Sequence, residues 1–321
     1  MGMMGLRELL GRQVPTTSAG RDGFFDVEDS FCTPGFWSAY AARARQRGVH
    51  SGELGLSGKL KGYAHAIGIE RALGEADSFP YDRRRAGQTY SPLVLLDTPE
   101  LTEKATGEIN GCIRGLFPEQ EYAAFVASIC ELVGDLLDNV WSHGKSTGFS
   151  MAQRWGKDRE GFFFEFAIAD CGLGFLRELR RVGIPGIDGH RDAIAWCIQK
   201  GNSTKKKAVN AWAQRLPLDV MGNPMPGLGM IVETDNHHLG LGLAKLVEAT
   251  ERFSGRLWLA SGDALLNIHP RRGRTYETIG IEWQGVAAAC RFHSSQVRQA
   301  VQAETETEFQ RIFTNLVREA E

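Results

Sequence analysis

Three stretches of this chain place chemically capable residues at useful spacing. Gly240-Leu241-Gly242-Leu243 opens a segment that reads as a helix to about Arg252. Glycines leading into a helix N-terminus leave free backbone N–H groups at the positive end of the dipole, which suits phosphates. Asp170-Cys171-Gly172-Leu173-Gly174 follows the apolar run Phe162, Phe163, Phe164, Phe166, Ile168 and Ala169. A carboxylate at the end of a central strand, followed by two spaced glycines, points at a ligand that the backbone can approach closely; a simple turn is the plainer reading. Third, Glu131, Asp135, Asn139 and His143 recur at steps of four, about one helical turn, so they share one ridge. Helix spacing alone favours a solvated outer face for that ridge over the wall of a site.

These groups need elements to hold them. Phe125, Ile129, Leu132, Val133, Leu136, Leu137 and Val140 predict one strong amphipathic helix over 119–143. The near-continuous apolar run over 161–170 predicts a strand buried on both faces. Further strands are expected at 90–96, 256–260, 264–268, 278–283 and 286–292, and further helices at 34–47, 60–73, 191–200 and from 295 onward. Residues 175–238 read as long and loop-rich apart from the helix at 191–200, and the Lys205–Lys207 triplet as a solvated run. The expected organisation is an N-terminal accessory α/β region (1–100), a central domain (101–292) and a C-terminal helix (293–321).

Composition narrows the function classes. A formal charge of -2 gives no general basic field for nucleic acid or an anionic membrane. The six cysteines, Cys32, Cys112, Cys130, Cys171, Cys197 and Cys290, contain no Cys-x-x-Cys pair and read as reduced, mostly buried thiols. No apolar run reaches membrane-spanning length and the first residues do not read as a signal peptide, so a cytoplasmic protein is expected. Glycine is abundant at 38 residues, which makes its placement informative.

Taken in order, a polar-ridge helix, a strand ending in Asp-x-Gly-x-Gly, a long connection, and Gly-x-Gly entering a helix that leads to a strand, the chain resembles the GHKL superfamily over roughly 120–292. This is the ATP-binding fold shared by DNA gyrase, the heat-shock chaperone ATPases, MutL and the histidine kinases. Residues 135–143 look like its N-box, 169–175 like its first glycine box and 239–260 like its second, closest in texture to histidine kinase and anti-sigma-factor kinase domains. The resemblance implies an α+β fold of the Bergerat type, a two-layer sandwich of a mixed sheet with helices on one face, binding ATP with Mg²⁺. It implies that Asn139 binds Mg²⁺, that His143 lies near the phosphates, and that Asp170 accepts from the adenine amino group. Gly172 and Gly174 would make room for base and ribose, Gly240, Leu241, Gly242 and Leu243 would wrap the triphosphate, and 175–238 would form an ATP lid.

Two departures from the family pattern bear on activity. Asp135 stands where hydrolysing branches usually carry a glutamate base, so its reach is one methylene shorter. Gly285-Val286 stands where the last strand often has Gly-Thr, which shifts adenine selection onto Asp170. With no transducer domain and no histidine in a dimerising hairpin, the layout implies a nucleotide-dependent regulatory switch with a protein partner, and allows a homodimer. The alternative is an active enzyme with Asp135 as base, either a slow ATPase or an anti-sigma-type protein kinase.

Overall fold

The computed structural model describes residues 2–11, 27, 30–140, 146–156, 161–202 and 242–320. In chain order its elements are β1 (Met3–Met4), α1 (Leu6–Leu10), β2 (Phe31–Cys32), α2 (Pro34–Gln46), α3 (Gly58–Ile67), α4 (Ile69–Ala72), β3 (Val94–Leu96), α5 (Pro99–Leu116), α6 (Ala123–Asn139), β4 (Gly148–Trp155), β5 (Phe163–Asp170), α7 (Gly174–Arg181), α8 (His190–Cys197), α9 (Gly242–Arg252), β6 (Arg256–His269), β7 (Gly273–His293) and α10 (Ser294–Ala320). The chain is therefore α+β, as expected.

Among the described residues the main sheet has five strands in the order β3-β4-β5-β7-β6, and every pairing between them is antiparallel. This corrects the mixed sheet that the resemblance implies. The four short strands anticipated after residue 256 are two long ones, β6 and β7, joined as a hairpin and interrupted by register shifts around Gly262. A local break in apolar alternation there reflects a bulge inside a continuous strand rather than its end.

Helices cover both sheet faces, a second correction to the one-face expectation. On one side α5, α6 and α9 bury Ile109, Phe125, Leu132, Val133, Leu136 and Leu246 in one core with Phe164, Phe166, Leu257, Leu259 and Phe292 of the sheet. On the other side α2 lies across β4, β5 and β7, burying Phe36, Trp37 and Tyr40 with Phe149, Met151, Ala167, Ala287 and Ala289. Thr33 precedes α2 and Pro34 occupies its first turn, a favourable start. The N-terminus of α2 meets the sheet at Glu165, a carboxylate with no exposed surface. Its Oε1 accepts from Thr33 Oγ1 (2.6 Å) and the Gly35 N–H (2.8 Å), and its Oε2 accepts from Arg291 Nε (2.7 Å). The segment expected as an accessory region thus shares a core with the sheet.

Three of the larger elements had no counterpart in the sequence reading: α5, β4 and α7. Helix α5 carries a start signal, Thr98 capping the Leu101 N–H at 3.3 Å with Pro99 in the first turn. Its glycines at 107, 111 and 115 dilute that signal. Among the described residues no helix is long and apolar enough to cross a membrane. All six cysteines are free; Cys32, Cys112, Cys130 and Cys290 are buried, while Cys171 and Cys197 are half-buried.

Candidate functional site

The C-terminal end of α6, the end of β5, the start of α7 and the start of α9 converge on one cavity of about 140 Å³. Asn139, Asp170, Gly174, Gly242 and Leu243 line it, with apolar walls that include Leu136, Ile168, Leu179 and Val286. Five of the ten residues singled out in the sequence are therefore gathered on one cavity. The Gly172 N–H donates to Asp170 Oδ1 at 2.7 Å, which places Gly172 beside the cavity rather than on its lining. His143, Gly240 and Leu241 lie outside the described residues, as does the rest of 203–241, including the lysine triplet.

Asp170 is the buried charge of the site. Burial pushes its carboxyl up to about 6, outweighing the opposing hydrogen bonds from the Gly172 and Val286 backbone. At neutral pH it is an ionised acceptor among apolar groups.

The backbone around it is held by two glycines. Gly285 has φ +94°, and a Cβ on it would lie 2.6 Å from Asp170 Oδ1. Gly174 has φ +72°, and a Cβ there would lie 2.9 Å from Ser261 Oγ. Ser261 Oγ donates to the Gly285 carbonyl (2.9 Å) and accepts from the Phe175 N–H (3.1 Å), tying β6, β7 and α7 together beside Asp170. Gly285→Ala is expected to destabilise the fold by about 1–3 kcal/mol through left-handed strain alone, with the clash adding to it. Urea denaturation followed by circular dichroism checks this, and an unchanged midpoint would contradict the geometry.

Asn139 ends α6 beside the first turn of α9: a Cβ on Gly242 would lie 3.1 Å from Asn139 Nδ2 and 3.2 Å from Asp135 Cβ. The ridge expected from helix spacing to be a solvated face instead meets α9 at this point, and Asp135 is buried. Lys245 Nζ, one turn into α9, donates to Asp135 Oδ2 (2.9 Å) and Glu131 Oε1 (2.7 Å). Burial pulls the Lys245 ammonium down, but these carboxylates outweigh it and hold it above its ordinary value. The sequence reading gave Lys245 no role, although its position three residues into the glycine-led helix was visible.

The first part of the expected lid is folded structure. Helices α7 and α8 bring Phe175, Glu178, Leu179, Trp196 and Cys197 to the cavity wall. This corrects the loop-rich reading of that stretch, and the helix expected at 191–200 is α8. Cys197 is no ready nucleophile, since burial, with Glu178 beside it, pushes its thiol up to about 12. Among the described residues no group of three or more His, Cys, Asp or Glu side chains could hold a metal ion.

No protein-family model, curated protein or solved structure matches this chain.

Proposed function

We propose that the chain binds ATP with Mg²⁺ and acts as a nucleotide-dependent regulatory switch for a protein partner, in the manner of the GHKL proteins it resembles. One observation carries the reading: Asn139, Asp170, Gly174, Gly242 and Leu243, distant in sequence, line a single cavity. The groups present suit the ligand. Asp170 is a buried acceptor for an exocyclic amino group, and the apolar walls suit a purine face. Gly242 and Leu243, at the N-terminal end of α9 and on the cavity lining, lie at the positive end of the helix dipole, which suits phosphate. Asn139 would hold Mg²⁺ through its amide oxygen, with water and phosphate completing the shell. When bound, the ion supplies positive charge against the phosphates. His143, Gly240 and Leu241 keep the phosphate-side roles that the resemblance gives them.

The pairing of Asp135 favours a switch over a catalyst. A general base needs an oxygen within reach of the proton it takes, and Asp135 Oδ2 is engaged by the Lys245 ammonium at 2.9 Å. ATP with Mg²⁺ is expected to raise Tm in a thermal-shift assay, because a ligand of the folded state alone adds to its stability. Radiolabelled ATP is expected to give no phosphate release or phosphoprotein above background. Turnover that disappears in Asp135→Ala would replace the switch with the enzyme reading. Absence of any shift with ATP, ADP or GTP would overturn nucleotide binding itself.

A further inference from the structure

A second cavity, of about 250 Å³, lies at the other end of β5, where Phe163, Ser254, Arg256, His269, Arg271 and His293 are among its lining residues. Phe163 and Asp170 are seven residues apart on one strand, about 23 Å at the rise of a β-strand, so this cavity is separate from the first.

Among the described residues that line it, arginines and histidines are present and none is acidic. Arg256 and Arg291 stand directly opposite each other on β6 and β7, an arrangement that is destabilising for like charges. Glu165 neutralises Arg291 at 2.7 Å, and its other oxygen is taken by Thr33 and Gly35. Arg256 has no such relief among the described residues. Its Nε is buried without a hydrogen-bond partner, and its guanidinium lies over the Trp258 ring at 4.9 Å. Burial, then Arg291, Arg7 and Arg272, hold that guanidinium below its ordinary value despite the opposing charge of Glu8. Glu8 accepts from the Gly5 N–H at 2.9 Å, and Glu277 pairs with Arg7 at 2.8 Å. His269 Nδ1 accepts from the Arg271 N–H at 3.0 Å, which leaves Nε2 as the protonated nitrogen and a donor. A guanidinium whose buried Nε lacks an acceptor, beside a donor imidazole and an arginine rim, is the arrangement that binds a multivalent oxyanion.

We propose that this cavity binds a phosphate-type dianion, free or as the phosphate of a small ester, with Arg256 as its central ligand. The test is a thermal-shift titration of the full chain at constant ionic strength, with inorganic phosphate in one arm and phenyl phosphate in the other. A saturable rise in Tm is expected with at least one probe. Arg256→Met is expected to raise the half-saturating concentration at least tenfold, and Arg271→Ala, a change at the exposed rim, to raise it less while leaving the fold intact. Equal responses to the two probes mark a free-anion site, and a tighter response to phenyl phosphate marks an ester whose body lies on Phe163. Arg256→Met should leave the Tm rise given by ATP with Mg²⁺ unchanged, which separates this site from the nucleotide cavity, whose lining does not include Arg256. No saturable rise with either probe, or a rise that Arg256→Met leaves intact, would overturn the proposal.

Discussion

Asp170→Ala is expected to weaken ATP binding about 10- to 100-fold, the equivalent of the roughly 1.5–3 kcal/mol carried by a hydrogen bond to a charged group. The carboxylate is the buried acceptor on the cavity lining and is held by the Gly172 and Val286 backbone. Isothermal calorimetry with ATP and Mg²⁺ measures the loss, and full affinity in the variant would remove Asp170 from the site. Asp170→Asn tests the electrostatics separately. The unfolded carboxyl titrates near its ordinary value of 3.8 and the folded one near 6, so the folded state binds the extra proton between them. Wild-type stability therefore falls as pH rises from about 4 to above 6, by up to about 3 kcal/mol for a shift of roughly two units. Asparagine carries no such charge, so the stability of the variant relative to wild type should rise over the same window. Urea midpoints at about pH 4.5, 5.5 and 7.5, which span that window, check the sign. A difference that does not vary with pH would contradict the burial of the charge.

Glu165→Ala is expected to have the largest effect on stability, about 3–5 kcal/mol, as for a buried ion pair broken by removing one partner. The fully buried carboxylate of Glu165 joins three parts of the chain: Thr33 and Gly35 at the start of α2, β5 itself, and Arg291 on β7. Removing it takes away the charge that neutralises Arg291 opposite Arg256, and leaves the Gly35 N–H without that acceptor. Chemical denaturation measures the loss. Glu165→Gln should fall between wild type and alanine, because the amide keeps an acceptor for Thr33 and Gly35 but not the charge for Arg291. An alanine variant as stable as wild type would show that the carboxylate does not join the N-terminal segment to the sheet.

The local signals for the site were legible. Helical periodicity located α6, the apolar run ending at Asp170 located β5, and glycines before an apolar helix located α9, because each depends on neighbours in the chain. The apolar run over 161–170 also carried a message that the one-face expectation missed. Both alternating sets, Phe164, Phe166 and Ile168 on one side and Ala167 and Ala169 on the other, are buried, which requires cover on two faces. Nothing local said that α2 supplies the second cover, since the Thr33–Glu165 contact spans 132 residues.

The sequence by itself determined the residue types of the candidate site and three of the elements that carry them, α6, β5 and α9, because capping, periodicity and backbone freedom act over a few residues; α7, which brings Gly174 to the cavity, was not among them. Only the tertiary structure decided that the five described strands of the main sheet pair antiparallel, that Lys245 holds Asp135, and that Arg256 faces Arg291 while Glu165 is committed to Arg291, Thr33 and Gly35. Those outcomes depend on strand order and register, which bring together groups far apart along the chain and set charge against charge at distances the chain order does not encode.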